Sequence, residues 1–145
     1  MRKIVFFIIF ILFVNNIFPD DDQSYNVKLT VVVEGIEKIE GEMSIGIYNS
    51  DEGWTETDKE FKGIFVKVSS EIVSYTFEEI PAGTYSIAVY HDLNMNKILD
   101  KNLFGVPKEG YGFSNNVFGI VGPPDYLDAS FLLDKDMTIY IKLKN

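Results

Sequence analysis

The chain contains no cysteine, one histidine and one arginine. The lack of cysteine excludes disulfides, thiolate metal sites, thiol catalysis and the cysteine that usually anchors a bacterial lipoprotein. Because the arginine is Arg2, loss of the first residues would leave no guanidinium for bidentate recognition of phosphate or carboxylate. The formal net charge is −9. Nucleic acid and anionic membranes need clustered cations, so neither is expected as a partner.

The first 22 residues have the charge order of a secretory leader. Arg2 and Lys3 precede an uninterrupted apolar run at residues 4–14, and three aspartates follow at residues 20–22. This run suits a signal peptide and is shorter than the ~20 residues of a spanning helix. We therefore expect a signal peptide or N-terminal anchor at residues 1–22 and an exported domain at residues 23–145, periplasmic, secreted or held in the cell envelope. No small-residue cleavage site precedes the aspartates, so membrane contact is expected only through an uncleaved leader.

After the leader, apolar and polar residues alternate in seven segments, which is the pattern of half-buried β-strands. These segments lie at residues 25–35, 42–50, 63–70, 71–80, 83–92, 129–134 and 137–145. One-sided alternation is typical of antiparallel sheets that pack face to face. The sequence thus predicts an all-β fold, an antiparallel β-sandwich of about seven strands. A short helix is also predicted within residues 49–63, with Thr55 as its cap and Asp58 in its first turn.

Residues 92–128 form a long segment with almost no strand pattern. The segment is too rich in apolar residues to be disordered, so we expect one long ordered loop that folds onto the sandwich. Its aromatic and amide side chains predict either a surface for an unknown ligand of carbohydrate or protein class, or a small core of the loop itself. The protein is expected to be a monomer. The candidate binding residues are His91, Glu109, Tyr111, Phe113, Asn115 and Asn116.

Oxygen-bearing side chains at the start of this segment have the spacing of a calcium loop. The ligands of such a loop occupy positions one, three, five, seven and nine, and position seven contributes a backbone carbonyl. Calcium is the one cofactor that the sequence suggests. The candidate metal ligands are Asp92, Asn94, Asn96, the carbonyl of Ile98, and Asp100.

Two positions depart from the calcium-loop pattern. Lys97 stands at position six, where glycine normally permits a sharp turn, and Leu103 stands at position twelve, where a bidentate glutamate is usual. The alternative is a metal-free loop in which the aspartate and asparagine side chains cap their own backbone in consecutive Asx turns. Both interpretations stay open at this point.

Three stretches of the sequence resemble a known bacterial family. They are YTFEEIPAGTYSIAVYHDLNMNKILD at residues 75–100, FGVPKEGYGFSNN at residues 104–116 and GPPDYLDASFLL at residues 122–133. Together they are similar to the family called domain of unknown function 2141, over roughly Val27 to Leu143. The resemblance implies an exported β-sandwich of seven or eight strands, immunoglobulin-like or prealbumin-like, and it implies no activity. One departure is Asn96-Lys97, where the family tends to have Asn-Gly.

The residues give weak support for catalysis. His91 with Asp92 and Glu109 has the composition of an acid–base group, whereas Ser114 lacks a nucleophile elbow and the glycines lack the spacing of a phosphate-binding loop. A histidine at a strand end is more often a structural hydrogen-bond partner. The sequence therefore favours a non-enzymatic binding or envelope-accessory module. The alternative is a small-molecule hydrolase of prealbumin-like fold that uses His91.

Overall fold

A computed structural model describes residues 25–145, and the predicted leader at residues 1–22 lies outside them. The described chain folds into β-strands joined by turns, with one short α-helix, α1 (Tyr126–Ala129), and a 3₁₀ helix at Ser114–Asn116. This confirms the predicted all-β class. The strands are β1 (Asn26–Glu34), β2 (Glu42–Tyr48), β3 (Lys62–Lys67), β4 (Val73–Pro81), β5 (Gly83–Asp92), β6 (Tyr111–Phe113), β7 (Phe131–Leu133) and β8 (Met137–Lys142).

The strands form two sheets. One has the order β4-β1-β8, and the other has the order β3-β2-β5-β6 with β7 also paired to β5. The expectation of wholly antiparallel sheets is wrong at one place, because β1 and β8 pair in parallel. These two strands are neighbours in the sheet but are the first and last strands of the described sequence, so no tight turn forces them to run in opposite directions.

The core contains side chains from both sheets. Alternate residues of β1 are buried, as period-two patterning requires, and in β2 the inward Met43, Ile45 and Ile47 are buried together with Gly46 and Tyr48. Burial of each such aliphatic side chain stabilises the fold by about 1.5–3 kcal/mol. The fully buried aliphatic residues include Leu29, Val31, Val33, Met43, Ile45, Ile47, Ile80, Ile87, Leu133 and Ile141.

The helix predicted within residues 49–63 is wrong. This segment is a series of turns, and Thr55 and Asp58 have φ angles of 65° and 64°. A right-handed helix needs negative φ, so neither residue can take the position predicted for it. The backbone N–H of Glu56 instead donates to the carbonyl of Gly53 at 2.9 Å, which closes one of the turns.

Trp54 explains part of this difference, because its contacts are with distant parts of the chain. Its indole Nε1 donates to the carbonyl of Pro124 at 2.8 Å. Its ring packs against those of Tyr48 and Tyr126, with centroid distances of 5.0 and 5.8 Å. These contacts fix the turn segment against the end of β2 and the start of α1, which local helix signals cannot anticipate.

The long segment after β5 contains secondary structure that its sequence pattern did not indicate. It includes β6, the 3₁₀ helix and most of α1. Within residues 25–145, no helix is long and apolar enough to cross a membrane.

Candidate functional site

The loop that follows β5 is organised by Asp92, whose side chain is fully buried at the end of the strand. One carboxylate oxygen accepts a hydrogen bond from the backbone N–H of Asn96 at 3.0 Å. The other accepts from the N–H of Lys97 at 2.7 Å. Bonds from N–H groups to a charged acceptor are stronger than neutral ones, so Asp92 determines how the chain turns after the strand.

The other predicted ligands converge on the same loop. Oδ1 of Asn94 accepts from the N–H of Asn96 at 3.1 Å, and Oδ1 of Asn96 accepts from the N–H of Ile98 at 2.9 Å. The two amides also donate to the carboxylate of Asp100, at 2.7 Å from Asn94 and 3.3 Å from Asn96. The structure therefore brings the predicted side chains together through Asx-type hydrogen bonds.

Glu109 joins the two ends of this loop. Its carboxylate accepts from the N–H of Leu93 and from the N–H of Asp100, each at 2.9 Å. The side chain is buried. Among residues 25–145, no group of three or more histidine, aspartate or glutamate side chains is arranged to hold a metal ion.

Lys97 holds the loop against the five-stranded sheet. Its backbone is left-handed, with φ at 66°, as its position in the calcium-loop pattern predicted. Met95 is left-handed as well, with φ at 56°. The Lys97 ammonium contacts the carboxylate of Glu42 and lies 3.9 Å from the centroid of the Phe65 ring. The strained turn thus places a cation over β2 and β3.

His91 is a buried member of β5 and is only 3% exposed. It pairs with Met43 of β2, whose side chain belongs to the core. Its ring Nε2 lies 2.7 Å from the carbonyl oxygen of Glu40, and its backbone N–H donates to the carbonyl of Gly110. Through these two contacts, His91 joins the loop before β2 to the residues before β6.

The amides of Asn115 and Asn116 are bonded to backbone groups of neighbouring segments. Asn115 donates to the carbonyls of Asp128 and Ser130, at 3.0 and 2.8 Å. Asn116 accepts from the N–H of Lys142 at 2.8 Å, which ties the 3₁₀ helix to β8. Both side chains therefore stabilise the fold of the long segment.

Tyr111 and Phe113 line a cleft on the outer face of the five-stranded sheet, opposite the core. The strand register places two rows of residues on this face. One row runs across β3, β2, β5 and β6 as Gly63, Gly46, Ala88 and Phe113, and the next runs as Phe65, Ser44, Tyr90 and Tyr111. The small residues of the first row leave space between the aromatic residues of the second row and those of the Trp54 region.

Two loops form the walls of the cleft and enclose a volume of about 520 Å³. One comprises residues 98–107 and the other residues 119–123. Their cleft-lining side chains include the highly exposed Phe104, Ile120 and Val121. The volume lies within the ~300–1,000 Å³ of small-molecule sites.

Two polar atoms of the cleft are buried without a hydrogen-bond partner in the described part of the chain. They are Oε2 of Glu60 and the hydroxyl of Tyr90. An unpaired buried polar group costs free energy, and native proteins contain few of them. Their occurrence together in one cleft indicates a place where a ligand or water supplies the missing partners.

The tyrosines on this face lie in a desolvated and negatively charged environment. Burial raises the pKa of Tyr48, and the carboxylate of Glu60 adds to the rise. Burial also raises the pKa of Tyr90; a contact with the Ser44 hydroxyl, too loose to meet hydrogen-bond geometry, opposes this rise, and the carboxylates of Asp92, Glu109 and Glu60 add to it. Both hydroxyls therefore remain protonated at neutral pH and can donate hydrogen bonds.

Sequence reasoning missed Glu60, Ser44 and Tyr90 as site residues. A signal was present, because the solvent-facing positions of β2 and β5 carry serine, glycine, alanine and tyrosine where a fully solvated face would carry charges. Glu60 lies in the turn segment before β3, and only the folded chain brings it to the cleft.

Fold and site together define a small all-β protein with a loop-walled cleft on one sheet. A family model described as "Uncharacterized protein conserved in bacteria (DUF2141)" matches residues 31–140, which is most of the chain. The protein belongs to this domain-of-unknown-function 2141 family, as the sequence resemblance indicated. No curated protein and no solved structure matches the chain.

Proposed function

We propose that this protein is an exported, non-enzymatic binding module whose ligand occupies the cleft on the outer face of the five-stranded sheet. In this proposal the two sheets form a β-sandwich of immunoglobulin-like or prealbumin-like kind, and the long segment after β5 builds one wall of the site. The observation that carries the proposal is the pair of unpartnered polar atoms, Glu60 Oε2 and the Tyr90 hydroxyl, within a largely apolar cleft. Apolar clefts with a few fixed polar groups are typical ligand sites.

The position of His91 gives little support to the alternative hydrolase. A general base must reach the proton of its substrate, either directly or through one water. His91 is 3% exposed and its ring lies against the Glu40 carbonyl. Its side chain is directed to the core face of the sheet, whereas the cleft is on the other face.

Calcium remains part of the proposal as a stabiliser of the loop. Asp92, Asn94, Asn96 and Asp100 already converge through hydrogen bonds. Rotation of an asparagine amide by half a turn would present its oxygen in place of its NH₂ group. With few carboxylates, the expected affinity is that of extracellular modules, with Kd about 10⁻⁴–10⁻³ M. Such a site would stiffen the cleft wall.

Binding of the neutral fluorescent dye Nile red to the full chain tests the proposed site. We expect a saturable blue shift of its emission with the wild type, because most of the cleft is lined by apolar groups that would replace water around the dye. Ala88→Phe fills the floor and should abolish the shift. Ser74→Phe adds the same ring to an exposed position of β4 and should leave it unchanged.

The assay is valid only where thermal unfolding shows that both variants fold. Dye binding that Ala88→Phe does not reduce would place the dye elsewhere and contradict the proposed site. Absence of dye binding by the wild type would also contradict it.

A further inference from the structure

We propose that the cleft recognises an amphiphile with a protonated amine, whose amine contacts Glu60 and Tyr90 and whose hydrocarbon part lies against the loop walls. This inference rests on the proposed binding function and adds the chemical class of the ligand.

Glu60 is held over the sheet by the absence of a side chain beneath it. A Cβ atom at Gly63 would lie 2.8 Å from Cγ of Glu60 and 2.7 Å from its Oε1, so any larger residue would displace the carboxylate. Gly63 pairs with Gly46 on β2, where a Cβ would lie 3.1 Å from the Tyr48 ring. The two glycines thus create the depression in which Glu60 and Tyr48 lie.

Both polar groups of the floor, the Glu60 carboxylate and the Tyr90 hydroxyl, can accept a hydrogen bond from a ligand, and the carboxylate would also favour a positively charged donor. Oε2 of Glu60 is enclosed and can only accept when ionised. The Tyr90 hydroxyl can donate or accept, and the carboxylates of Asp92, Glu109 and Glu60 act on it. A protonated amine supplies three N–H donors and a positive charge, so it satisfies both groups.

The walls require an apolar ligand body. Phe104, Ile120 and Val121 line the cleft and yet are almost fully exposed. Exposed apolar side chains grouped around a cavity mark a surface that a partner molecule covers. The cleft is also lined by Lys101 and Lys144, which are exposed and so lie towards solvent. Among the lining residues, Glu60 alone carries a carboxylate, so an amine would bind beside Glu60 at the floor.

Three probes that each contain eight carbon atoms separate the contribution of the head group. They are n-octylamine, 1-octanol and octanoate, and each is titrated into the full-length protein in a calorimeter. An alkylamine is protonated at neutral pH. We expect the amine to bind roughly tenfold more tightly than the alcohol, the factor that a charge-assisted hydrogen bond supplies. Octanoate should bind most weakly.

Glu60→Gln should reduce the preference for amine over alcohol to about threefold or less, since the amide keeps the shape and loses the charge. Glu56→Gln is the matched control, because Glu56 is exposed in the same turn and is not a lining residue; it should keep the preference. Without probe, Glu60→Gln should melt no lower than the wild type. That result separates ligand recognition from a purely structural role, in which the variant would lose stability.

The outcomes distinguish this inference from the function on which it rests. Equal binding of amine and alcohol by the wild type, both abolished by Ala88→Phe, would overturn the amine inference and leave the cleft as a binding site. An amine preference that survives Glu60→Gln would also overturn it. If the wild type binds neither Nile red nor any of the three probes, the binding function itself is wrong.

Discussion

Replacement of Asp92 by alanine tests how the loop after β5 is held. The substitution removes the acceptors of the Asn96 and Lys97 N–H groups, at 3.0 and 2.7 Å. Asn96 keeps a second acceptor, Oδ1 of Asn94, whereas Lys97 loses the side-chain acceptor shown for its N–H. Each hydrogen bond to a charged group contributes about 1.5–3 kcal/mol. Because one of the two N–H groups is partly compensated, we expect Asp92→Ala to lower the free energy of unfolding by about 3 kcal/mol.

The assay is thermal unfolding followed by circular dichroism. For a domain of this size, 1 kcal/mol corresponds to about 3–5 °C, so Tm should fall by roughly 10–15 °C. Asp125→Ala is the matched control, because Asp125 is an exposed helix N-cap whose side chain makes no capping bond, and its change should be within about 0.5 kcal/mol. Equal effects of the two substitutions would refute the view that Asp92 holds the loop.

The same experiment in millimolar calcium or in chelator decides between the two interpretations of the loop. If the loop binds calcium with a Kd of about 10⁻⁴–10⁻³ M, then 10 mM calcium is about 10–100 times Kd, and it should add about 1.4–2.7 kcal/mol to the free energy of unfolding and raise Tm by several degrees. Asp92→Ala should abolish this response. A wild type with the same Tm in calcium and in chelator would show that Asx turns alone hold the loop, and calcium would be excluded.

Three further predictions concern separate parts of the chain. Gly112→Val should cost about 1–3 kcal/mol in urea unfolding, because a Cβ there would lie 2.7 Å from Cγ2 of Ile141 and 3.1 Å from the carbonyl oxygen of Lys142; an unchanged midpoint would contradict this packing. Lys97→Gly should be about 1 kcal/mol more stable than Lys97→Ala, since both lose the ammonium contacts and only glycine relieves the left-handed backbone. Equal stability of the two variants would show that the turn is unstrained. Lys97→Gly should also bind calcium more tightly than the wild type in calorimetry. Cell fractionation with intact-mass measurement should find the first ~20 residues removed or membrane-anchored, and full-length protein free in the cytoplasm would disprove export.

The strands were predictable from sequence because period-two alternation is a local property. The apolar residues of β1 and β2 lie in the core as the alternation required. The pairing of strands was harder to predict from sequence, since the parallel contact of β1 with β8 joins residues more than 100 positions apart, such as Leu29 and Met137. β6 was missed because three residues are too few to show a period.

The turn segment before β3 shows a limit of local propensity. Thr55 and Asp58 are favourable near a helix N-terminus, yet both adopt left-handed φ angles. Contacts of Trp54 with Tyr126 and Pro124, distant in sequence, accompany these turns. Tertiary contacts therefore outweigh a helix signal that is worth only ~1 kcal/mol.

Only the local part of the candidate site could be predicted from sequence, because its other contacts join residues that are distant along the chain. The side chains of Asp92, Asn94 and Asn96 act on backbone groups two to five residues away, so their spacing alone revealed the turn. Glu109 was predicted as a binding residue, and its hydrogen bonds to both ends of the loop appear only in the fold. The cleft is formed by strands and loops that are distant along the chain, and a single sequence does not show directly which distant segments come into contact.

The loop and the cleft are linked by the face that they share. Asp92 and Tyr90 are two residues apart in β5, so both side chains leave the sheet on the cleft side. The bonds from Asp92 and Glu109 fix the start of the loop whose next residues form a cleft wall. Lys97 adds a contact to Phe65, which belongs to the floor. Residues that stabilise the loop therefore also position the wall, so any agent that stiffens this loop, calcium included, would pre-organise the cleft for its ligand.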